Sequence, residues 1–302
     1  MCLLLTLNIG LMLQTFPTQR WNELFPNSTQ VQAINHLESG QILHFPKLAF
    51  DLFAEETSLL SPEYADPHSK NISYQPETNK LWGVQHLSDE QHLQLKLMMD
   101  RFSTQALDLI RELFPHYSTH LMLGRTSFRP IQISQRKTSY RKDDKRLHVD
   151  AFPSAPNQGK RILRVFCNIN PHGEDRVWRV GESFETVAHQ FIPLINKPLP
   201  GVSAFLRFLK ITKSYRTAYD HYMLHMHNRM KGDEQYQKKA SQCEIRFPAG
   251  STWIAQTDQV SHAAMQGQYT LEQTFHLPVH AMQDESRSPL RILEKLLQQT
   301  LV

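Results

Sequence analysis

Cysteine is scarce in this chain. Only Cys2, Cys167 and Cys243 occur, an odd number at wide separations, which excludes a disulfide framework and a cysteine-rich zinc site and makes a reducing compartment the default. Long apolar runs are missing too. Residues 1–13 (MCLLLTLNIGLML) are apolar, but they lack a basic n-region and a small-residue cleavage site and are too short to span a bilayer. They read as a buried first strand or helix, or as an over-extended start, and no other run reaches transmembrane length. No HExxH pattern is present. His221 and His225 have the i, i+4 spacing of a helical zinc pair, but Tyr222 follows His221 and no nearby carboxylate completes the set. These two histidines and His227 are therefore expected to be structural. The basic run 134–147 (SQRKTSYRKDDKRL) carries one aromatic, Tyr140, so bases would find no stacking platform and no nucleic-acid partner is expected.

What is present is an ordinary globular composition of 302 residues, 40% hydrophobic and 21% charged, with a net charge of +4. This length suits one large decorated domain. The positive excess permits an anionic partner. It is concentrated at Arg136, Lys137, Arg141, Lys142, Lys145 and Arg146, which run directly into His148. A solvated loop and a basic lip that holds phosphates or carboxylates fit this run equally well.

Residues 14–120 read as an α-rich front portion. Leu87-Ser88-Asp89-Glu90 has the capping signals of a helix start, and apolar residues from Leu93 to Leu113 keep a helical rhythm until Pro115. Residues 61–80, with Pro62, Pro67 and Pro76, read as a long surface loop. From about 120 the pattern changes to strands: Leu121–Leu123, Ser127–Ile133, Arg161–Ile169 and Arg176–Val180. Helical stretches over 185–240, including Val202–Leu209 and Ser214–Met230, interrupt them. Strands return at Cys243–Phe247, Ala249–Gln256 and Tyr269–Leu277, and a proline-led helix is expected over 288–301. Phe247, Trp253 and Phe275 are expected in the core.

Within this frame, His148-Val149-Asp150 stands out. Residues i and i+2 of an extended segment point to one side, so an imidazole and a carboxylate converge there. An oxygen-activating ferrous site takes two histidines and one carboxylate on one face and leaves the opposite positions open. The same tripeptide spacing occurs at His36-Leu37-Glu38 and His172-Gly173-Glu174, but these fall in a polar loop and a turn and read as surface histidines. Only His148 has a convincing distant partner, His262, between two strands and 114 positions on (262 − 148). A helical insert at 185–240 accounts for that spacing. The fold class is thus α+β with a mainly β core. It reads as a double-stranded β-helix, the cupin-like jelly roll, with an α-rich portion at 1–119, a core at 120–302, the insert, and a C-terminal helix.

The runs HVDAFPSAPNQGKRILRVFCNINPHGEDRVWRVGESFE (148–185) and STWIAQTDQVSHAAMQGQYTLEQTFHLP (251–278) resemble the Kdo hydroxylase family. These are iron- and 2-oxoglutarate-dependent dioxygenases of Gram-negative bacteria, and the likeness runs from about 120 to 300. It implies that His148, Asp150 and His262 ligate Fe(II). It also implies that C3 of 3-deoxy-D-manno-octulosonic acid (Kdo), attached to lipid A, gains a hydroxyl with 2-oxoglutarate and O2 as co-substrates and ascorbate as a supporting reductant. The expected partner is Kdo-lipid A or a related anionic glycolipid, met by a cytoplasmic enzyme that visits the inner membrane through its basic run, with no amphipathic anchor and with homo-oligomerisation left open. Two other readings remain: a barrel oxygenase acting on a protein side chain or another small molecule, and a non-catalytic binder of lipopolysaccharide precursors.

The far carboxylate of 2-oxoglutarate needs a cation, best a bidentate Arg. Related enzymes often place it about a dozen residues after the distal histidine, but here His276 stands there and the next cation is Arg287. The role moves to Arg164, which shares a strand face with Ile162, Phe166 and Asn168, while Arg161 faces the other way. Arg129, Gln273 and His276 are further candidates for the cofactor pocket. Arg176, Arg179 and Arg146 are candidates for the acidic sugar.

Overall fold

The computed structural model describes residue 10 and residues 12–133 and 139–302. An eight-stranded sheet and a three-stranded sheet form its centre. In chain order the elements are β1 (Leu13–Thr15), α1 (Asn27–Glu38), β2 (Ile42–Phe45), β3 (Ile72–Gln75), β4 (Lys80–Trp82), α2 (Asp89–Leu113), β5 (Met122–Arg129), β6 (Arg161–Asn168) and β7 (Arg176–Val180). Then come α3 (Phe184–Phe191), α4 (Val202–Phe208), α5 (Ala218–Gly232), α6 (Glu234–Lys239), β8 (Cys243–Phe247), β9 (Thr252–Gln256), β10 (His262–Gln266), β11 (Thr270–Leu277) and α7 (Pro289–Leu297). The large sheet runs β1-β2-β9-β6-β11-β5-β3-β4 and the small one β10-β7-β8. Every pairing is antiparallel except β1 with β2.

Strand alternation divides the core in two. One face of β6 sends Leu163, Val165 and Cys167 into a cluster with Leu95, Met98, Phe102 and Leu109 of α2. The other face sends Phe166 toward the small sheet, where it joins Trp178, Phe247 and Trp253. Trp253 stacks on Phe247 at 4.1 Å and on Phe166 at 5.2 Å, with Trp178 edge-on to it at 5.7 Å. These rings fill the space between the sheets, as in the jelly roll expected. With one face against helices and the other against the second sheet, β6 is buried along its whole length, Arg161, Arg164 and Asn168 included.

Several local expectations are corrected. The front portion holds two helices but also supplies four of the eight strands of the large sheet. Strands of three or four residues are too short to show a period. The stretch 61–80 is not all loop, since β3 lies inside it and pairs with β5. Leu121–Leu123 and Ser127–Ile133 are not separate strands: β5 is continuous from Met122 and ends before Pro130, which lacks the N–H a ladder needs. Phe247, Trp253 and Phe275 are all in the core as expected, the first two between the sheets and Phe275 in the helix-packed cluster. Helix α5 begins at Ala218 rather than Ser214, because the Thr217 side chain caps it and Asp220 completes a capping box. The start of α2 follows expectation, with Ser88 and Gln91 capping each other.

Trp253 is fully buried and packs on Phe247 and Trp178 of the small sheet. Trp253→Ala should destabilise the fold by about 3–5 kcal/mol, read from the midpoint of urea denaturation, and a shift worth less than about 1 kcal/mol would show that the rings do not carry the inter-sheet packing.

Candidate metal centre

Two backbone bonds bring distant chain segments together. His148 N donates to the His262 carbonyl at 3.0 Å and His262 N to the His148 carbonyl at 2.9 Å. This pairs the segment before β6 with the first residue of β10. Asp150 N donates to the Thr257 carbonyl at 2.8 Å, which fixes the segment a second time. The result is the expected convergence: one ligand atom from each of His148, Asp150 and His262 lies within 4.8 Å of the others.

The ring orientations suit a cation. His148 Nδ1 lies 2.7 Å from the Arg146 carbonyl and His262 Nδ1 lies 2.9 Å from the Val260 carbonyl. A carbonyl only accepts, so each Nδ1 carries the proton and each Nε2 keeps its lone pair. Trp178 stacks on His262 at 5.0 Å and His227 packs edge-on to His148 at the same separation. Burial, with His262 and Lys231 beside it, holds the His148 pKa well below the usual imidazole range, and burial also lowers that of His262. Both rings are therefore neutral, the form a metal requires. For Asp150, burial alone would favour the acid. Arg164, His262 and His148 outweigh it and keep the carboxylate ionised. Its Oδ2 is buried and lies 3.2 Å from Arg164 Nη2, yet it accepts no well-aligned hydrogen bond. Two neutral imidazole nitrogens and an under-satisfied carboxylate oxygen fit an N2O site for a divalent transition metal.

A chain of buried charges surrounds this centre. Arg164 Nη1 reaches Glu272 Oε1 at 3.0 Å, Glu272 Oε2 accepts from Arg129 Nη2 at 2.6 Å, and Arg129 Nη1 lies 3.7 Å from Asp144. Asp144 also meets Lys70 at 2.8 Å and Lys231 at 3.9 Å. Burial would raise the Glu272 pKa, but Arg129 and Arg164 lower it overall. Burial lowers the Lys231 pKa to about 8, with Asp144 opposing the shift.

Arg164 lies beside the His148, Asp150 and His262 cluster, within 3.2 Å of Asp150, and Arg161 faces away, bonded to Asp258 at 2.7 Å. Arg129 belongs to the same charged cluster. His276 shares the inner face with Arg164, and its Nδ1 is buried without a partner. Gln273 does not enter the pocket. It alternates with Glu272 and His276 along β11, and its Oε1 accepts from Thr126 at 2.6 Å while its Nε2 donates to the Thr274 carbonyl at 2.7 Å. Arg176 is buried on the inner face of β7 and bonds the Gly267 carbonyl at 3.0 Å. Arg179 is on the opposite face of β7 from Trp178 and bonds the Lys145 carbonyl at 2.9 Å. Arg146 donates to the Lys231 carbonyl at 2.8 Å. These last two bonds hold the segment leading into His148, so for Arg179 and Arg146 the expected contact with sugar gives way to a bracing role. Part of the basic run, residues 134–138, lies outside the described residues.

Sequence reasoning missed Glu272, Asp144, Lys231 and His227. The signals were present for some of them. Glu272 and His276 are four apart on a strand, hence on one face, and His227 and Lys231 are four apart on a helix. His221 does bond a backbone carbonyl, that of Asn196, whereas His227 packs edge-on to His148 and bonds the Val149 carbonyl at 2.8 Å.

A family profile described as 3-deoxy-D-manno-oct-2-ulosonic acid (Kdo) hydroxylase matches residues 20–300. The chain belongs to the Kdo hydroxylase family. Crystal structures of the Kdo hydroxylase KdoO, a non-heme Fe(II) α-ketoglutarate-dependent dioxygenase, are similar to this Kdo hydroxylase at 47% identity, covering 96% of this chain and 97% of KdoO. The TM-scores are 0.93 for the complex with α-ketoglutarate and Fe(III), 0.93 for that with cobalt(II) and 0.92 for that with succinate and Fe(III). No curated protein sequence matches the chain. Family membership bears out the enzyme class and the jelly roll expected of this Kdo hydroxylase.

Burial lowers the pKa of His44, His227 and His276 to about 4 each. In the unfolded chain these groups take protons near pH 6.5, so between about pH 6.5 and 4 the unfolded state binds more protons and stability falls as pH falls. Metal-free protein should melt progressively lower as pH drops through this window, and a flat melting temperature from about pH 7 to 4.5 would contradict the buried neutral histidines.

Proposed function

We propose that this Kdo hydroxylase converts the C3–H of Kdo to C3–OH while the sugar is part of the lipid A-linked inner core. The observation that carries the proposal is the convergence of His148, Asp150 and His262 beside Arg164 in a chain of this family. His148 and His262 would hold Fe(II) through Nε2 and Asp150 through a carboxylate oxygen. Bound iron with 2-oxoglutarate and O2 supplies the oxidising equivalent that replaces hydrogen by hydroxyl, with 2-oxoglutarate leaving as succinate and carbon dioxide.

The chain's own part is binding, orientation and charge. Arg164 is the anchor for the far carboxylate of 2-oxoglutarate, with Arg129 and His276 on the same inner face. Four cations (Lys70, Arg129, Arg164 and Lys231) face three anions (Asp144, Asp150 and Glu272) across this network. The single excess positive charge, together with a divalent metal, favours a dianionic co-substrate, and an acidic sugar after it. Glu272 keeps Arg164 extended toward the metal, so the guanidinium is oriented before any acid arrives. Trp178 and the rings behind it close the inner side to water, so the bound sugar must approach from the other.

Removing the charge of Arg164 separates this anchor from a scaffold role. Arg164→Met should raise KM for 2-oxoglutarate by about 30-fold or more, the lower end of the effect of truncating one partner of a buried charge pair. An unchanged KM would assign the anchor elsewhere.

The reaction itself is tested by loading the protein anaerobically with Fe(II), adding 2-oxoglutarate, air and Kdo-bearing lipid A, and weighing the glycolipid by mass spectrometry. The wild type should add one oxygen and His148→Ala none. Succinate without hydroxylated glycolipid would keep the oxygenase and reject this substrate.

A further inference from the structure

Helix α4 is unusual among the described helices because none of its residues is buried. It sits in a segment, residues 197–216, in which every large apolar side chain but that of Leu206 is exposed. Phe208 is 81% exposed, Leu199 74% and Phe205 60%, and Val202, Leu209, Ile211 and Tyr215 are also exposed. Isolated exposed apolar residues are commonplace, but a contiguous group of this kind marks an interaction surface. Lys197, Arg207, Lys210 and Lys213 are exposed among them, with Arg216 half-buried. No Asp or Glu occurs from Thr186 to Tyr219.

We infer that residues 197–216 form a membrane-docking surface that seats in the headgroup layer of an anionic phospholipid bilayer. Aromatic and aliphatic side chains enter the acyl boundary while the interleaved lysines and arginines meet lipid phosphates. Charge complementarity selects this occupant. Two copies of the same segment would bring like charges together, which opposes self-association.

The segment is also fixed to the catalytic side of the fold. Lys213 N donates to the Ser154 carbonyl at 2.9 Å, Arg216 Nη2 to the Pro153 carbonyl at 2.6 Å, and Gln158 Nε2 to the Tyr215 carbonyl at 3.1 Å. Residues 153–158 follow directly from the ligand Asp150, and the ring of Phe152 lies 5.6 Å from the Arg164 guanidinium. A bilayer touching 197–216 therefore lies next to the segment that carries the metal ligand. Among the described residues no helix is long and apolar enough to cross a membrane, so the surface is one for lying on a bilayer. It differs from the contact expected through the basic run, whose Arg146 is bonded within the protein. The inference rests on the proposal that the substrate is lipid-linked, for which it supplies a route of delivery.

The test uses the full chain and vesicles of phosphatidylcholine with and without about one-third phosphatidylglycerol, free of any Kdo lipid. Co-sedimentation should show the wild type on the anionic vesicles, and the double variant Phe205→Ser/Phe208→Ser should bind at least about tenfold more weakly. Arg207→Gln/Lys210→Gln should lose binding and salt sensitivity together. Turnover of a water-soluble Kdo glycoside should be unchanged in both variants, while KM for vesicle-borne Kdo-lipid A rises. Equal binding by wild type and variants, or no binding to anionic vesicles, overturns the inference. So does binding that appears only when Kdo-lipid A is present, a dimer in wild type that the Phe variant abolishes, or loss of binding only on neutralising Arg141 and Lys142. If docking follows these variants but no Kdo acceptor is hydroxylated, the surface stands and the proposed substrate falls.

Discussion

Two backbone hydrogen bonds between His148 and His262 hold the centre of this protein together. Neither residue belongs to the same stretch of chain, and a helical insert separates the strands around them. The reciprocal N–H to C=O bonds fix the two Cα positions, and the carbonyls of Arg146 and Val260 then fix both ring orientations. The placement of the two imidazoles is thus set by main-chain bonds. A site built this way tolerates little drift, because each imidazole is held at both its backbone and its outer nitrogen.

The charge network is the second constraint. Taking Asp150, Glu272 and Asp144 out of water is costly, and each is compensated by at least one cation within 4 Å. The chain from Asp150 through Arg164, Glu272 and Arg129 to Asp144 satisfies that need in alternation. It also leaves the inner face of the large sheet with oriented guanidinium groups, so the same bonds that make burial affordable prepare a surface for acids. Beside them, the aromatic cluster of Phe166 and Trp253 from this sheet with Trp178 and Phe247 from the small one excludes water from part of the inter-sheet space, which strengthens the charge interactions next to it.

Much of the strand framework could be read from the chain. β6, β7, β8 and β11 are each long enough for alternation or flanking turn residues to mark them, and the capping residues Ser88 and Ser288 mark helices. The short strands β1 to β4 could not be read, since three or four residues show no period of their own, and β2 and β3 take partners, β9 and β5, far along the chain. Gln273 shows the same limit at the level of one side chain. A polar residue on a strand near a site suggests a pocket, but whether it faces inward depends on register, and β11 turns it toward Thr126.

By itself the sequence determined the chemistry available: His148 and Asp150 on one side of an extended segment, a distant His262, and Arg164 on a strand face with Phe166. Those follow from covalent spacing and the two-residue repeat of a strand, which are local properties. Only the tertiary structure decided which groups complete the site. Glu272, Asp144, Lys231 and His227 acquire their meaning from partners that include residues 79 to 143 positions away (227 − 148 and 272 − 129), and the exposed apolar face of 197–216 is visible only because the rest of the fold leaves it uncovered. Burial and long-range pairing create those roles, and neither is a property of a stretch of chain taken alone.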